Sequence, residues 1–243
     1  MNELYRFSKE TQDTLNKTRL PSGGWINLWL NIGHYEVTQE ATERFGFSSP
    51  SVDILRDAAQ DPDFYEFTLP QAHAQSPDDV AFMPPGSAQD IAIQTGIDTY
   101  KQWVLILFGK VHQAMLKQDT RVALYWLGYV LHGIQDLGPH GGMPNPEHAA
   151  LDSLHQGPDE DPNSVQLSRY YTQEFLRHTR EALGVDNFDL LRNWDGDSNL
   201  SKSEKEALFG HGWDLSVKAV AEFKKNGEKY LDITPAPVSV RWP

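Results

Sequence analysis

The sequence contains no cysteine among its 243 residues. This absence excludes disulfide scaffolds, thiolate nucleophiles and cysteine zinc sites. Basic residues are also scarce, since 21 Lys and Arg stand against 34 Asp and Glu, for a formal net charge of −13. An acidic body repels phosphate backbones. The composition therefore disfavours stable binding to duplex nucleic acid and is compatible with cation binding.

Long apolar runs are missing as well. The longest candidate, WVLILFG at residues 103–109, is far shorter than the roughly 20 apolar residues of a membrane-spanning helix. No transmembrane segment is therefore expected. The first residues, MNELYRFSKETQDTLNKTRLPSGG, lack the apolar core of a signal peptide, which favours a cytoplasmic location.

Strand-type alternation of apolar and polar residues is nearly absent, whereas helical spacing recurs along the chain. Residues 1–24 are polar and end in PSGG, which is typical of a loosely held arm. Helices are expected over roughly 32–47, 96–117 and 120–137, from Glu147 after the cap pair Asn145-Pro146, and within 164–183 and 203–225. Residues 64–95 are expected to be rich in loops. The sequence thus predicts an all-α fold, with residues 25–243 forming a single-domain multi-helix bundle.

His132 and Asp136 stand four residues apart in the helix expected over 120–137, so their side chains lie one turn apart on the same face. His148 and Asp152 repeat this spacing, and His140 lies between the two pairs in a glycine-rich loop. Imidazole and carboxylate ligands in such numbers favour zinc. A single pair is more typical of a surface pair or a hydrogen bond. Two such pairs with a histidine between them are typical of a metal centre and of a set of surface pairs or hydrogen bonds to an equal degree.

Further upstream, each candidate is weak by itself. His34 on an amphipathic helix is typical of a buried, hydrogen-bonded histidine, and the Asp61-Pro62-Asp63 turn is typical of ordinary turn chemistry. His73 lies in the loop-rich segment that follows. These residues acquire a different interpretation when they are taken in order along the chain.

The order of these residues resembles that of the bacterial zinc-dependent phospholipase C family, which shares its fold with the S1/P1 nucleases. The likeness covers about residues 25–155 and lies in GHYEVTQEA, in AAQDPDFYEF with QAHAQ, and in ALYWLGYVLHGIQDLGPH. The resemblance implies a trinuclear zinc site. One zinc would be held by Asp63, His73, His132 and Asp136, a second by His140, His148 and Asp152, and a third by His34 with Asp136 as a bridge.

The chain also departs from the family pattern. The family's last ligand is a mature N-terminal tryptophan, and Trp25 has nearly the expected spacing but is internal unless the chain is cut after Gly24. Asp152 replaces the usual glutamate, and Glu147 and His155 are substitutes for it. Asp61 competes with Asp63 for the same role.

The resemblance implies a phospholipase C that cleaves a phospholipid to diacylglycerol and a phosphorylated head group, with Asp63 as the general base. Phe64, Tyr65 and Glu66 would bind the head group by cation–π contact and charge, although core packing explains Phe64 and Tyr65 equally well. The alternatives are a single-strand nuclease or phosphomonoesterase on the same cluster, and a non-catalytic helical protein with a structural metal. The nucleases of this fold carry a tryptophan where this chain has HAALD, which favours the lipase. Family members are mostly exported, so the resemblance implies export.

A second motif, NWDGDSNLSKSE at residues 193–204, resembles a twelve-residue EF-hand loop. Calcium ligands would be Asn193, Asp195, Asp197, Asn199, Ser201 and Glu204. Ser198 replaces the usual glycine, and no second EF-hand is seen. A polar loop that caps the following helix is the favoured interpretation, with a Ca²⁺ site as the alternative.

Overall fold

The computed structural model describes residues 33–66, 69–153, 157–197 and 199–210, with the side chains of 152, 153, 160 and 210 left aside. The helices in this part are α1 (His34–Arg44), α2 (Ser49–Ala58), α3 (Pro62–Tyr65), α4 (Ser87–Leu116), α5 (Thr120–Asp136), α6 (Asn145–Ser153), α7 (Pro162–Leu183), α8 (Val185–Arg192) and α9 (Lys202–Gly210). Short 3₁₀ turns occupy Pro70–His73, Asp78–Phe82 and Pro158–Glu160. No strand occurs in these ranges, so the predicted all-α class is confirmed. None of the helices in these ranges has both the length and the apolarity that crossing a bilayer requires.

Helix α5 is the centre of the hydrophobic core. All of its residues from Ala123 to Asp136 are buried, as expected for a helix that is apolar on nearly every face. It packs against α1, α2, α4, α7 and the turn Pro70–His73. Its first turn is capped by Asp119, whose carboxylate accepts a hydrogen bond from Val122 N at 3.1 Å, one residue before the expected cap at Thr120.

Helix α4 begins at Ser87, well before the expected start at residue 96. Residues 64–95 were expected to be rich in loops, with prolines at positions 70, 77, 84 and 85, and the helix instead begins two residues after the last of these prolines. Gly96 lies inside the helix, where a Cβ would come within 2.6 Å of Ser76 Oγ. Glycine at this position therefore serves close packing between α4 and the segment that follows His73.

Helix α8 was not expected from the sequence, and it holds α2 in place. Ser51 Oγ donates to Leu191 O at 2.7 Å, and Ser48 N donates to Arg192 O at 2.7 Å. The N-terminal end of α2 is thereby fixed to the end of α8. Residues 211–225 of the last expected helix lie outside the described ranges.

Candidate metal centre

Two glycines of α5 allow its neighbours to approach its backbone closely. A Cβ at Gly128 would lie 2.4 Å from Leu55 O and 2.8 Å from the Cβ of Ala58, both on α2. A Cβ at Gly133 would lie 2.9 Å from Ala72 O, next to His73. Both separations are too short for any side chain. The glycines therefore bring α2 and the His73 turn to the same helix.

This close packing fixes the ring of His132. Its Nδ1 lies 2.9 Å from Ala59 O, just past the end of α2. A carbonyl oxygen only accepts, so Nδ1 carries the hydrogen and the lone pair of the neutral ring is on Nε2. His132 is fully buried, and this Nε2 faces Asp136, one helical turn away.

Four donor atoms converge at this point, from Asp63, His73, His132 and Asp136. Asp136 Oδ2 is 3.0 Å from His132 Nε2 and 3.1 Å from His73 Nδ1. These two ring nitrogens are 3.0 Å apart. Asp63 Oδ1 lies 3.7 Å from His132 Nε2 and 3.9 Å from His73 Nδ1.

These separations fit a tetrahedral zinc site. With zinc–ligand bonds near 2.0–2.1 Å, the ligand atoms of a tetrahedron lie roughly 3.3 Å apart. The observed distances of 3.0 to 3.9 Å bracket that value. His73, His132 and Asp136 could therefore hold one ion, and Asp63 forms an overlapping donor group with His132 and His34.

The second oxygen of Asp136 faces His34. Its Oδ1 lies 3.2 Å from His34 Nε2. The opposite nitrogen, His34 Nδ1, lies 2.8 Å from Gln135 Oε1, and Gln135 Nε2 donates to Thr38 Oγ1 at 2.8 Å. In this arrangement Gln135 Oε1 accepts from Nδ1, so Nε2 of His34 faces Asp136 and carries the lone pair when the ring is neutral. The carboxylate of Asp136 is thus placed to bridge the first site and His34.

A further donor group consists of His140, His148 and Asp159. Asp159 Oδ2 lies 2.9 Å from His148 Nε2. Asp159 Oδ1 lies 3.3 Å from His140 Nε2, a buried nitrogen that makes no hydrogen bond within the described part of the chain. A nitrogen buried without a partner is costly, and a cation between these three side chains would satisfy it.

The backbone after His73 joins the two groups. His140 Nδ1 lies 2.7 Å from His73 O, and Gly142 N donates to Ala74 O at 2.8 Å. Ser76 Oγ donates to Gly142 O at 2.6 Å. The carbonyl of His73 therefore fixes the ring of His140, as Ala59 does for His132, and Nε2 again points into the cluster.

The electrostatics favour positive charge at His34 and His140, whereas burial and the neighbouring His34 lower the pKa of His132. Burial lowers the pKa of His34, but the carboxylate of Asp136 outweighs it and raises the pKa to about 9. Burial likewise lowers the pKa of His140, but the carboxylates of Asp136 and Asp159 outweigh it and raise this pKa to about 9. Burial raises the pKa of Asp136, yet the neighbouring imidazoles hold it well below its ordinary value. A potential that holds protons on buried histidines also attracts a metal cation.

The donors open onto one cleft of about 470 Å³. Its lining residues are Gly33, His34, Tyr35, Glu36, Gln60, Asp63, His73, Asp136, His140 and Asp159. Most donor side chains are buried, whereas that of Asp63 is 48% exposed. A molecule in the cleft would therefore meet Asp63 and the open sides of both donor groups.

Several expected ligands have other positions. Both oxygens of Asp61 are occupied, because Lys205 Nζ lies 2.9 Å from Oδ2 and 3.2 Å from Oδ1, and Tyr125 donates to Oδ2 at 2.8 Å. Glu147 lies in the first turn of α6 and belongs to none of the donor groups found in the described ranges. Trp25 and His155 lie outside those ranges. Asp152 is in α6, but its side chain is not among those described.

Asp159 was missed by the sequence interpretation. It lies in the run Pro158-Asp159-Glu160-Asp161, which is typical of a solvated turn. Nothing in that run distinguishes one acid from the next, although Asp159 is four residues after His155 and so repeats the spacing used at His132. Asp161 instead caps α7, accepting from Asn163 N at 3.1 Å.

The three residues expected to bind substrate are arranged differently from one another. Phe64 is 79% exposed beside Asp63. Tyr65 stacks on Phe209 of α9, with ring centroids 5.0 Å apart. Glu66 is buried, away from the cleft lining and near Tyr129. Their role in substrate binding stays a prediction.

The EF-hand-like loop contains a helix cap at its end. Glu204 Oε2 accepts from Ser201 N at 2.8 Å and from Ser201 Oγ at 2.7 Å, and Oε1 pairs with Arg121. This is the capping box of α9. Asp195 and Asp197 belong to none of the His, Asp and Glu donor groups found within the described ranges. The favoured interpretation as a capping loop accounts for these contacts.

Three comparisons were made with known proteins. No protein-family model, no curated protein and no solved structure matches the chain. The resemblance to the phospholipase C family therefore depends on the ordered motifs. The geometry of the donor groups is independent of that resemblance.

Proposed function

We propose that the chain is a zinc-dependent phosphodiester hydrolase of phospholipase C type. The observation that carries the proposal is that three donor groups meet on one open cleft. They are His34 with Asp63 and His132, His73 with His132 and Asp136, and His140 with His148 and Asp159. A purely structural zinc is enclosed by its ligands. Here the half-exposed carboxylate of Asp63 and the cleft leave access for a substrate.

The identity of the donors favours zinc. Histidine nitrogens predominate over carboxylates in the cluster, and Mg²⁺ and Ca²⁺ prefer oxygen ligands. When bound, zinc would make water acidic enough to ionise near neutral pH and would neutralise charge on phosphoryl oxygens.

Asp63 is the proposed general base. It is the exposed carboxylate of the first donor group, whereas Asp136 is buried among imidazoles. Asp63 would accept a proton from the water that attacks phosphorus, and would return it to the glycerol oxygen as the phosphorus–oxygen bond breaks. His34, His132 and His140 are held by hydrogen bonds on their far sides, which keeps the orientation of these rings constant during the reaction.

The cleft favours a lipid phosphodiester over a nucleic acid. Among its described lining residues there is no lysine or arginine, whereas proteins that bind single strands use a positively charged groove. Tyr35 and Glu36 also line the cleft, where the guanidinium of Arg56 covers the Tyr35 ring at 4.2 Å and Glu36 accepts from Gly33 N at 2.9 Å. The preference for a lipid therefore depends on the absence of lysine and arginine from the described lining.

The test is a parallel assay with phosphatidylcholine vesicles and single-stranded DNA, together with metal analysis of the purified chain. We expect two or three zinc ions per chain, release of diacylglycerol, and little cleavage of DNA. Asp63→Asn, at a half-exposed position that tolerates the change, should abolish turnover, as should His132→Ala and Asp136→Ala.

His112→Ala is the matched control, because His112 is on α4 and belongs to none of the donor groups. It should leave turnover unchanged. A zinc-replete chain that binds no zinc, or a His132→Ala variant with full activity, would contradict the proposal. Cleavage of DNA without cleavage of lipid would transfer the function to the nuclease alternative.

A further inference from the structure

The segment that carries Asp63 has little stability of its own. Helix α3 is a single turn of four residues, and an isolated turn cannot offset the entropy of ordering it. Among the described residues, Asp63 N donates to Gln60 O at 3.3 Å, which is long for a hydrogen bond. Contacts from elsewhere in the fold must therefore set the position of its carboxylate.

Helix α9 holds this segment on the N-terminal side of Asp63. Lys205 is only 8% exposed, and its Nζ lies 2.7 Å from Asp57 Oδ2 and 2.9 Å from Asp61 Oδ2. Tyr125 of α5 donates to the same Asp61 oxygen at 2.8 Å. Charged hydrogen bonds of this kind are short and directional, so Asp61 is fixed to both α9 and the core helix.

The same helix holds the segment on the C-terminal side. Phe209, one turn beyond Lys205, stacks on Tyr65 with an interplanar angle of 25°. Phe209 also packs against Trp126 and Tyr129 of α5, with ring centroids 5.5 and 5.4 Å away. Asp61 and Tyr65 flank Asp63 by two residues each, so α9 grips the turn on both sides of the proposed base.

We propose that α9 is a clamp that positions Asp63 at the metal centre, and that Lys205 and Phe209 are its positioning residues. The inference depends on the proposed metal function. Asp63 Oδ1 lies 3.7 Å from His132 Nε2 and 3.9 Å from His73 Nδ1. Both separations already exceed the roughly 3.3 Å of an ideal tetrahedral zinc site, so a further outward displacement of about 1 Å would remove this carboxylate from the ion.

The test is a double-mutant cycle on zinc affinity, measured by competition with a chelator. Lys205→Met keeps the apolar stem of the side chain and removes its charge. We expect it to weaken zinc binding by about 10- to 100-fold, the usual cost of losing a group that orients a ligand. In an Asp63→Asn background the same change should have no further effect, because the ligand that Lys205 orients is already lost.

Lys205→Arg should restore most of the affinity, since a guanidinium can bond both carboxylates. Lys202→Met is the matched control, because Lys202 is on the same helix but pairs with Glu206 at the exposed surface. A Lys205→Met chain with a lower melting temperature but unchanged zinc affinity would overturn the clamp. So would a loss of affinity that simply adds to that of Asp63→Asn.

Phe209→Leu provides an independent measurement if Lys205→Met does not fold. It removes the stacking on Tyr65 and leaves every charge in place, and it should also weaken zinc binding through Asp63. A wild-type chain that binds no zinc would overturn the metal centre, and the clamp with it. A wild-type chain that binds zinc as tightly as both variants would overturn the clamp alone.

Discussion

At the scale of single residues, the resemblance and the structure name different carboxylates for the donor group of His140 and His148. The resemblance assigns this role to Asp152, whereas Asp159 lies between His140 and His148. Asp159→Asn preserves size but removes the charge and the capacity to bind zinc strongly. We expect it to reduce the zinc content by about one ion per chain, and we expect Asp152→Asn to leave the content unchanged. Elemental analysis of the two variants after dialysis measures this, and the opposite result would return the role to Asp152.

The ligands that could be predicted from the sequence are those whose spacing along a single helix places them side by side. His132 and Asp136 follow from the geometry of one helix. Asp159 could not be predicted, because its contacts with His140 and His148 depend on how the chain folds back after α6. The different roles of Asp61 and Asp63 could not be predicted either, since the lysine that pairs with Asp61 is more than a hundred residues away.

At the scale of elements, the contact between α2 and α5 depends on Gly128. Alanine has a higher helix propensity than glycine by about 1 kcal/mol, so propensity alone predicts that Gly128→Ala stabilises the chain. A Cβ there would lie 2.4 Å from Leu55 O, and overpacking of this kind costs about 1–3 kcal/mol or more. We expect packing to dominate, so that urea unfolding shows a lower free energy of unfolding.

The same variant should bind zinc more weakly, because moving α2 displaces the carbonyl that orients His132. Thr99→Ala, on the exposed face of α4, is the control for propensity without packing. If Gly128→Ala raised the free energy of unfolding, the close contact described for α2 and α5 would be wrong.

Helix prediction succeeded where the apolar pattern was strong and failed next to prolines and for short helices. Helix α5 matches its expected bounds within one residue because its whole surface is buried. The start of α4 at Ser87 was missed because the proline-containing residues 64–95 were expected to be loops. Helix α8 is too short for its period to be distinct, and its position depends on contacts with α2 that no local pattern records.

At the scale of the whole molecule, zinc should stabilise the fold. The donors come from α1, α3, α5, the turn at His73 and the segment around Asp159, so bound ions would join distant parts of the chain. A ligand at 100 times its dissociation constant stabilises the native state by about 2.7 kcal/mol. We expect the melting temperature to rise with zinc and to fall after a chelator is added, as measured by circular dichroism.

Magnesium at the same concentration is the control, because it prefers oxygen ligands and octahedral geometry. It should leave the melting temperature nearly unchanged. The Asp136→Asn variant should lose most of the response to zinc, since both oxygens of that carboxylate face donor groups. Equal responses to zinc and magnesium would mean that the acidic surface attracts cations without a specific site.

The rings of His132 and His140 are oriented by backbone carbonyls, whereas that of His34 is oriented by the side chain of Gln135. No substitution can remove a backbone carbonyl oxygen, so the orientations of His132 and His140 persist as long as the fold does. Position 135 is open to genetic drift. A substitution of Gln135 can therefore change the orientation of His34 without affecting the rings of His132 and His140. We expect sequences that descend from this chain to diverge first at this position.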